Sequence, residues 1–323
     1  MLTVFRADVF CKHFKSALCG SISRYGFSAE LAHHGADVYN GGNLTISDSS
    51  FEKSYVGDFA LGGSISNEGN LILNRIVISD CDSAQQVKGS AFYNGGNCTI
   101  INSTIKNSKV NRAVFNTLYG VVYNEGSLIA TGCVFANNSG IKDSGIPTYK
   151  GSVNIYNVGD VNLTYCAFLD NNPLSGTYAD FFEDGGGEIY LDYNWWGSNT
   201  NPFKASKINA DKINSWITLN VNPDYLALNI DDSADITASW KLSDGGSLNI
   251  GLFPLFNVSF NTWVNGTQKI ITKQLVNGYA TINYNWTQKK GTYIVLVGGT
   301  LTIIPVTLLV TVIGCFTDLV TAS

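Results

Sequence analysis

Along the first two thirds of the chain, apolar and polar positions alternate in short bursts that break and resume in a fixed order. Counted from the closing glycine of a recurrent turn, apolar or small residues stand two, four, seven and nine positions on. Position two is Leu44, Leu71, Cys98, Leu128 and Val161, and position four is Ile46, Leu73, Ile100, Ala130 and Leu163. Position seven is Ser49, Ile76, Ser103, Cys133 and Cys166, and position nine is Phe51, Ile78, Ile105, Phe135 and Phe168. Apolar pairs two apart mark a strand with one face turned inward. The change of phase between four and seven marks a bend into a second strand.

The turn itself is Tyr39-Asn40-Gly41-Gly42, Ser66-Asn67-Glu68-Gly69, Tyr93-Asn94-Gly95-Gly96, Tyr123-Asn124-Glu125-Gly126 and Tyr156-Asn157-Val158-Gly159. Its asparagines are spaced by 27, 27, 30 and 33 residues. A segment this short cannot bury its apolar side alone, whereas stacked coils bury it against one another at roughly 4.8 Å per rung. One such turn would read as a hairpin. Five in register predict a right-handed parallel β-helix over 36–203. Asn40, Asn67, Asn94, Asn124 and Asn157 are expected to form a structural ladder, passing amide hydrogen bonds from coil to coil and tolerating the left-handed backbone of a sharp corner. The glycine two positions later is expected to supply a positive φ.

Both ends of the repeat are irregular. Leu2, Val4, Ala7 and Val9 reproduce the two, four, seven, nine pattern without a glycine before them. The chain is therefore expected to begin inside a coil, with 1–35 an irregular start, 11–34 an insertion, and the natural protein extending upstream. At the far end, Asn194, Trp195, Trp196 and Gly197 read as a large apolar cap over the last coil.

Residues 204–223 read as a linker, and 224–313 change character. Phe256, Val258, Phe260, Thr262 and Val264 alternate up to Asn265-Gly266. Ile270 to Val276 runs to Asn277-Gly278, and Ala280, Ile282, Tyr284 and Trp286 alternate again. Asn-Gly between alternating runs is a strong hairpin signal. About seven strands in roughly 100 residues predict an Ig-like β-sandwich without a disulfide, followed by a tail, 314–323. The uncharged stretch from Thr292 to Thr317 is long enough to cross a bilayer. Its Thr, Val and Ile content with Gly298-Gly299 and Pro305 reads as two sandwich strands, and a membrane anchor is the alternative.

Composition agrees with an all-β chain. Only 14% of the 323 residues are charged, 33 are glycine, and hydrophobic residues make up 45%; this favours many short strands over disorder or a helical enzyme. A net charge of -5 offers no basic face to a phosphate backbone, so nucleic acid is not an expected partner. Eight Asn-x-Ser/Thr acceptors, Asn43, Asn97, Asn102, Asn137, Asn162, Asn257, Asn265 and Asn285, point to export and possible glycosylation.

Candidate chemistry is sparse. Asp180, Glu183, Asp184, Glu188 and Asp192 are the one acidic concentration, a weak candidate for Ca²⁺ and otherwise a solvated loop. No two coils are expected to place acids in one column, as catalytic carboxylates would require. His13, His33 and His34 lie in the irregular start, where Cys11 and Cys19 could pair or bind metal with His13. Cys81, Cys98, Cys133 and Cys166 fall on repeat columns and read as small core residues. No phosphate loop, nucleophile elbow or Cys-His pairing is visible. Neither an enzyme nor a cofactor is expected.

The coils of the form Gly-x-x-Tyr-Asn-x-Gly-x-Leu-x-Ile, the Asn194-Trp195-Trp196-Gly197-x-Asn199-x-x-Pro202 terminator and the Asn277-Gly278-x-Ala280-Thr281 block resemble the adhesin-like surface proteins of methanogenic archaea. The resemblance spans residues 36 to about 312; the N-terminal stretch and Gly314 to Ser323 fall outside it. It implies a pectate-lyase-like right-handed β-helix followed by a bacterial-type Ig-like module in an extracellular, cell-surface stalk. The expected function is non-enzymatic attachment to surface glycans or proteins of other cells. Tyr39, Tyr93, Tyr123 and Tyr156 could stack on sugars, but their column beside Asn is expected to serve packing. The alternatives are a carbohydrate-active lyase or hydrolase and a structural envelope component without a ligand.

Overall fold

The computed structural model of the chain describes residues 9–10, 17–19, 23–25, 28–29, 35, 37–84, 86–111, 117–141, 149–223, 225–228, 232–264, 267–285, 292–299 and 302–312. It is all-β, with one 3₁₀ turn, Ile250–Leu252, as the helix among these residues. The chain divides into two compact units, Met1–Trp216 with Leu252–Pro254, and Ile217–Gly251 with Leu255–Ser323.

The first unit is a parallel β-solenoid of about 5 turns. Its first sheet stacks Val38–Asn40, Ile65–Asn67, Phe92–Asn94, Val122–Asn124, Ile155–Asn157 and Phe181–Glu183. The second stacks Asn43–Ser47, Asn70–Asn74, Asn97–Ile101, Ser127–Thr131, Asp160–Thr164 and Ile189–Tyr190. The third stacks Ser50–Glu52, Val77–Ser79, Thr104–Lys106, Val134–Ala136 and Ala167–Leu169. Every rung pairs in parallel with the next, like residue on like: Leu44, Leu71, Cys98, Leu128 and Val161 stand opposite one another. Repetition therefore buries one column of apolar side chains per inward position, and the core runs continuously from Val38 to Ala210.

The corners differ from expectation. The ladder asparagines do not adopt positive φ. Left-handed residues instead recur at other corners: Asp48, Arg75, Asn102, Gly132, Tyr165 and Tyr193 between the second and third sheets, Lys53, Asp80, Asn107, Asn137 and Asp170 after the third, and Gly62, Gly89 and Gly120 ahead of the first. The turn glycines are required by close approach. A Cβ on Gly96 would meet the Gly69 carbonyl oxygen at 2.2 Å, and one on Gly126 the Gly96 oxygen at 2.0 Å.

The start is more regular than expected. Val9–Phe10 pairs with Val38–Tyr39, Ala17–Cys19 with Leu44–Ile46, Ser23–Tyr25 with Ser50–Glu52, and Ser28–Ala29 with Tyr55–Val56. Val9 thus registers with Val38 and not with position nine, and three further strands occupy the stretch read as an insertion.

Asn194 and Trp196 belong to the coil that follows the one of Asn157. Trp196, fully buried, continues the Phe135–Phe168 column, and the Cys166 amide donates to Asn194 Oδ1 at 2.8 Å. Beyond it, Ile208 bridges Phe181, and Ile208, Ala210, Ile213 and Trp216 cover the core.

The second unit has a three-stranded antiparallel sheet, Ile217–Asn222, Ser233–Leu242 and Tyr279–Asn285. Ile217–Asn222, read as linker from sequence, belongs to it. A five-stranded mixed sheet runs Tyr225–Leu228, Thr302–Val312, Thr292–Gly299, Asn257–Val264, Thr267–Gln274. Val264 stands opposite Thr267 at the end of an antiparallel pair, and the Asn265-Gly266 turn expected between them lies outside the described residues. Asn277 and Gly278, at φ 52 and 82, close only the Val276–Tyr279 bridge before the chain crosses to the other sheet. The stretch from 292 forms two antiparallel strands, and among the described residues no helix is long and apolar enough to cross a membrane.

Candidate functional site

The strand period leaves one residue in two pointing outward, so the second sheet presents regular outward columns. The first begins with Asn43, Asn70 and Asn97, whose amides link along the surface: Asn70 Nδ2 to Asn43 Oδ1 at 2.6 Å, and Asn97 Nδ2 to Asn70 Oδ1 at 2.9 Å. It continues through Ser127, Asp160 and Glu188. The column beside it is Thr45, Ile72, Thr99, Ile129, Asn162 and Tyr190. Ile72, Ile129 and Tyr190 are 44%, 43% and 39% exposed, far above the core.

Two concavities lie along this face. One, of about 350 Å³, sits over Asn43, Asn70, Ile72 and Asn97. The larger, about 560 Å³, is lined by Ile129, Asp160, Asn162, Glu188, Tyr190 and Lys212 among others. Asp160 and Glu188 are adjacent-rung neighbours, and the Glu188 amide donates to Asp160 Oδ1 at 2.9 Å. Two coils therefore do place acids in one outward column, contrary to expectation. The two-residue widening at Gly185-Gly186-Gly187 displaces Glu188 from the count that begins at the closing glycine.

The corner between the first and second sheets carries a second acidic column. Glu68, Glu125 and Asp184 each follow the Asn position of alternate coils, and each accepts a tyrosine hydroxyl from the coil before. Tyr39 donates to Glu68 at 2.5 Å, Tyr93 to Glu125 at 2.6 Å, and Tyr156 to Asp184. Lys88 pairs with Glu125 and lies over the Tyr123 ring, 4.9 Å from its centroid. Burial pushes the Glu125 carboxyl up, but hydrogen bonds from Lys88 and Tyr93 outweigh it and hold the group below its ordinary range. The Glu68 hydrogen bond, with burial, lifts the Tyr39 phenol to about 12.

Three of these tyrosines serve packing, and Tyr39 is half-buried. Tyr93, Tyr123 and Tyr156 are buried and stacked, centroids 6.1 and 5.2 Å apart, with Tyr119 edge-on to the last two. Beside them the asparagine amides form an unbroken chain: Asn40 to Asn67, Asn67 to Asn94, Asn94 to Asn124 and Asn124 to Asn157, each at 2.7 Å.

The five acids near the last coil are dispersed. Asp180 is buried inside the solenoid, its Oδ1 accepting from Asn171 at 3.0 Å and Asn154 at 3.2 Å while Oδ2 has no hydrogen-bond partner. Burial pushes its carboxyl up to about 6 against the pull of Lys207. Glu183 takes the sixth ladder position opposite Asn157, and Asp184 binds Tyr156. Glu188 lies in the larger concavity, and Asp192 holds the backbone amides of Asn214 and Ser215. Among the described residues no group of three or more His, Cys, Asp or Glu is gathered for a metal ion. Cys81, Cys98, Cys133 and Cys166 are free and buried, and burial pushes the Cys81 thiol up to about 12. His13, His33, His34 and Cys11, and the side chain of Cys19, lie outside the described residues.

Asn43, Asn97, Asn102, Asn137, Asn162 and Asn257 are exposed; the side chains of Asn265 and Asn285 lie outside the description. Tyr190 was missed in the sequence because its coil lacks the Asn-x-Gly turn that marks register elsewhere. Its signal is the outward position it shares with Ile129 and Asn162. No family model matches the sequence, and no curated protein or solved structure matches it.

Proposed function

We propose that this chain is part of a non-enzymatic, adhesin-like protein of a cell surface, in which a right-handed solenoid and an Ig-like sandwich carry an attachment face outside the cell. Its likeness to the surface proteins of methanogenic archaea rests on the turn, terminator and Asn-Gly motifs. The observation that carries the reading is the outward face of the second sheet. An amide row, hydroxyls and exposed Ile72, Ile129 and Tyr190 run along a stiff stack whose own tyrosines and corner carboxylates are already bound to one another. Surface glycans or proteins of other cells are the partners, and the exposed acceptors Asn102, Asn137 and Asn257, outside the outward columns of this face, suit an exported glycoprotein. Beads coated with the protein are expected to adhere to surfaces printed with glycans and to release no new reducing ends. Absence of adhesion to glycans and to intact cells would sink the reading.

A second reading, a carbohydrate-active enzyme, is favoured by Asp160 and Glu188, two carboxylates on neighbouring rungs of one concavity with Lys212. Release of reducing ends from an oligosaccharide, abolished in Asp160→Asn or Glu188→Gln, would establish it in place of the first.

A further inference from the structure

The geometry points to a saccharide-binding subsite for a neutral hexose unit in the larger concavity, with Tyr190 as its stacking platform. This deepens the attachment reading and rests on it.

Three observations converge. The Tyr190 ring is presented, not packed away: 39% of the residue is exposed at the floor of an open concavity of about 560 Å³. It is also braced, because Tyr193 meets it edge-on at 6.3 Å and Tyr193 in turn stacks on Tyr165 at 5.8 Å. A ring fixed before the ligand arrives loses little freedom on binding, and its face suits the apolar C–H side of a pyranose. Around it stand the partners that vicinal hydroxyls need: the Asn162 amide one rung away, the Asp160 and Glu188 carboxylates as acceptors, and the Lys212 ammonium as donor.

The same groups set the ligand's charge. Two carboxylates against one lysine leave the concavity negative, so uronates and sulfated sugars are repelled and neutral hexoses are not. Ile129, 43% exposed, stands two rungs from Tyr190 in the same column, about 9.6 Å away at the spacing of β-rungs. A second apolar contact at that distance fits a glycan lying along the solenoid axis.

The full chain, produced in a host without N-glycosylation so that Asn162 keeps its free amide, is titrated calorimetrically with mannohexaose, cellohexaose and the strongest neutral hit from a printed array. Hexagalacturonate serves as the anionic control. Tyr190→Ala is expected to weaken neutral-sugar binding roughly tenfold or more, about 1.4 kcal/mol, with Tyr190→Phe near wild type. Asn162→Ala, at an exposed position, provides a second reading at unchanged thermal stability. Neutral-sugar binding that survives both Tyr190→Ala and Asn162→Ala overturns the subsite while leaving glycan attachment standing. Binding of hexagalacturonate above the neutral sugars overturns the subsite as well. A wild-type protein that binds no neutral oligosaccharide removes the subsite and the glycan form of the attachment reading together.

Discussion

The indole of Trp196 lies flat on the ring of Phe168, with centroids 4.5 Å apart and planes 8° from parallel, and Phe168 lies in turn on Phe135 at 4.9 Å. This places Trp196 inside the aromatic column of the third face, with a fully buried side chain. Trp196→Ala is expected to open a cavity at the last rungs and cost about 3–5 kcal/mol. Phe203→Ala, at a residue 47% exposed, is expected to change stability by less than about 0.5 kcal/mol. Urea denaturation followed by tryptophan fluorescence and circular dichroism checks the pair; equal effects would place Trp196 outside the core.

Asn94 sits in the middle of the amide chain. Its Nδ2 donates to Asn124 Oδ1 at 2.7 Å, to the Gly96 carbonyl at 3.1 Å and to the Ser127 carbonyl at 3.1 Å, and its Oδ1 accepts from Asn67 at 2.7 Å. Truncation strands buried donors and acceptors on both neighbouring coils. Asn94→Ala is therefore expected to cost at least about 3 kcal/mol, and Asn94→Asp more, because a carboxylate cannot donate. The check is the denaturation midpoint beside Asn97→Ala, whose side chain is exposed and whose loss is expected to cost under about 1 kcal/mol.

How far the fold was legible follows from these residues. The inward columns through Leu71, Leu73 and Ile78 could be read because a period of two repeats once per coil and burial tolerates little but apolar side chains. The first coil was hidden because Arg24 registers with Phe51 and no Asn-x-Gly turn precedes it. Asp180 looked like loop because Thr177, Ser175 and the glycines at 185–187 surround it in sequence. Its place one residue before Phe181 is the place Asn154 holds before Ile155, inside the solenoid. The site was less legible than the core. A surface column carries no packing constraint, so Asn97, Ser127 and Asp160 share a position without sharing chemistry.

Asp180 makes stability depend on pH. Its carboxyl titrates near 6 in the folded chain, above the ordinary 3.8, because burial disfavours the charged form. The folded state thus holds a proton that the unfolded chain releases sooner. The resulting stability is fully present below about pH 4 and is lost as pH rises through 6. Glu125 and Asp48, held below their ordinary range, work in the opposite sense and lose their contribution on acidification. The difference between wild type and Asp180→Asn isolates the buried group. Asp180→Asn is expected to be the more stable protein at pH 7.5, by on the order of 1–3 kcal/mol, with the gap closing towards pH 4. A gap constant across that range would mean that the group is ionised in the fold.

The turn glycines allow a sharper test of coil stacking than any apolar substitution. A Cβ on Gly96 would lie 2.2 Å from the Gly69 carbonyl oxygen and 2.7 Å from the Glu68 carbonyl carbon, both backbone atoms of the preceding coil. Backbone in a continuous parallel ladder cannot step aside without breaking the hydrogen bonds on either side, such as that from the Asn97 amide to the Gly69 carbonyl at 2.8 Å. Gly96→Ala is expected to destabilise the solenoid by about 2–3 kcal/mol or more through this overlap alone. Gly186→Ala meets nothing within 4 Å and is expected to be neutral or slightly stabilising, since alanine restricts the unfolded chain. Native-state hydrogen exchange should show faster exchange at the coils flanking Gly96→Ala and none at those near Gly186→Ala. If both variants behaved alike, the rungs would not approach at the turn, and these glycines would instead be retained for their backbone freedom.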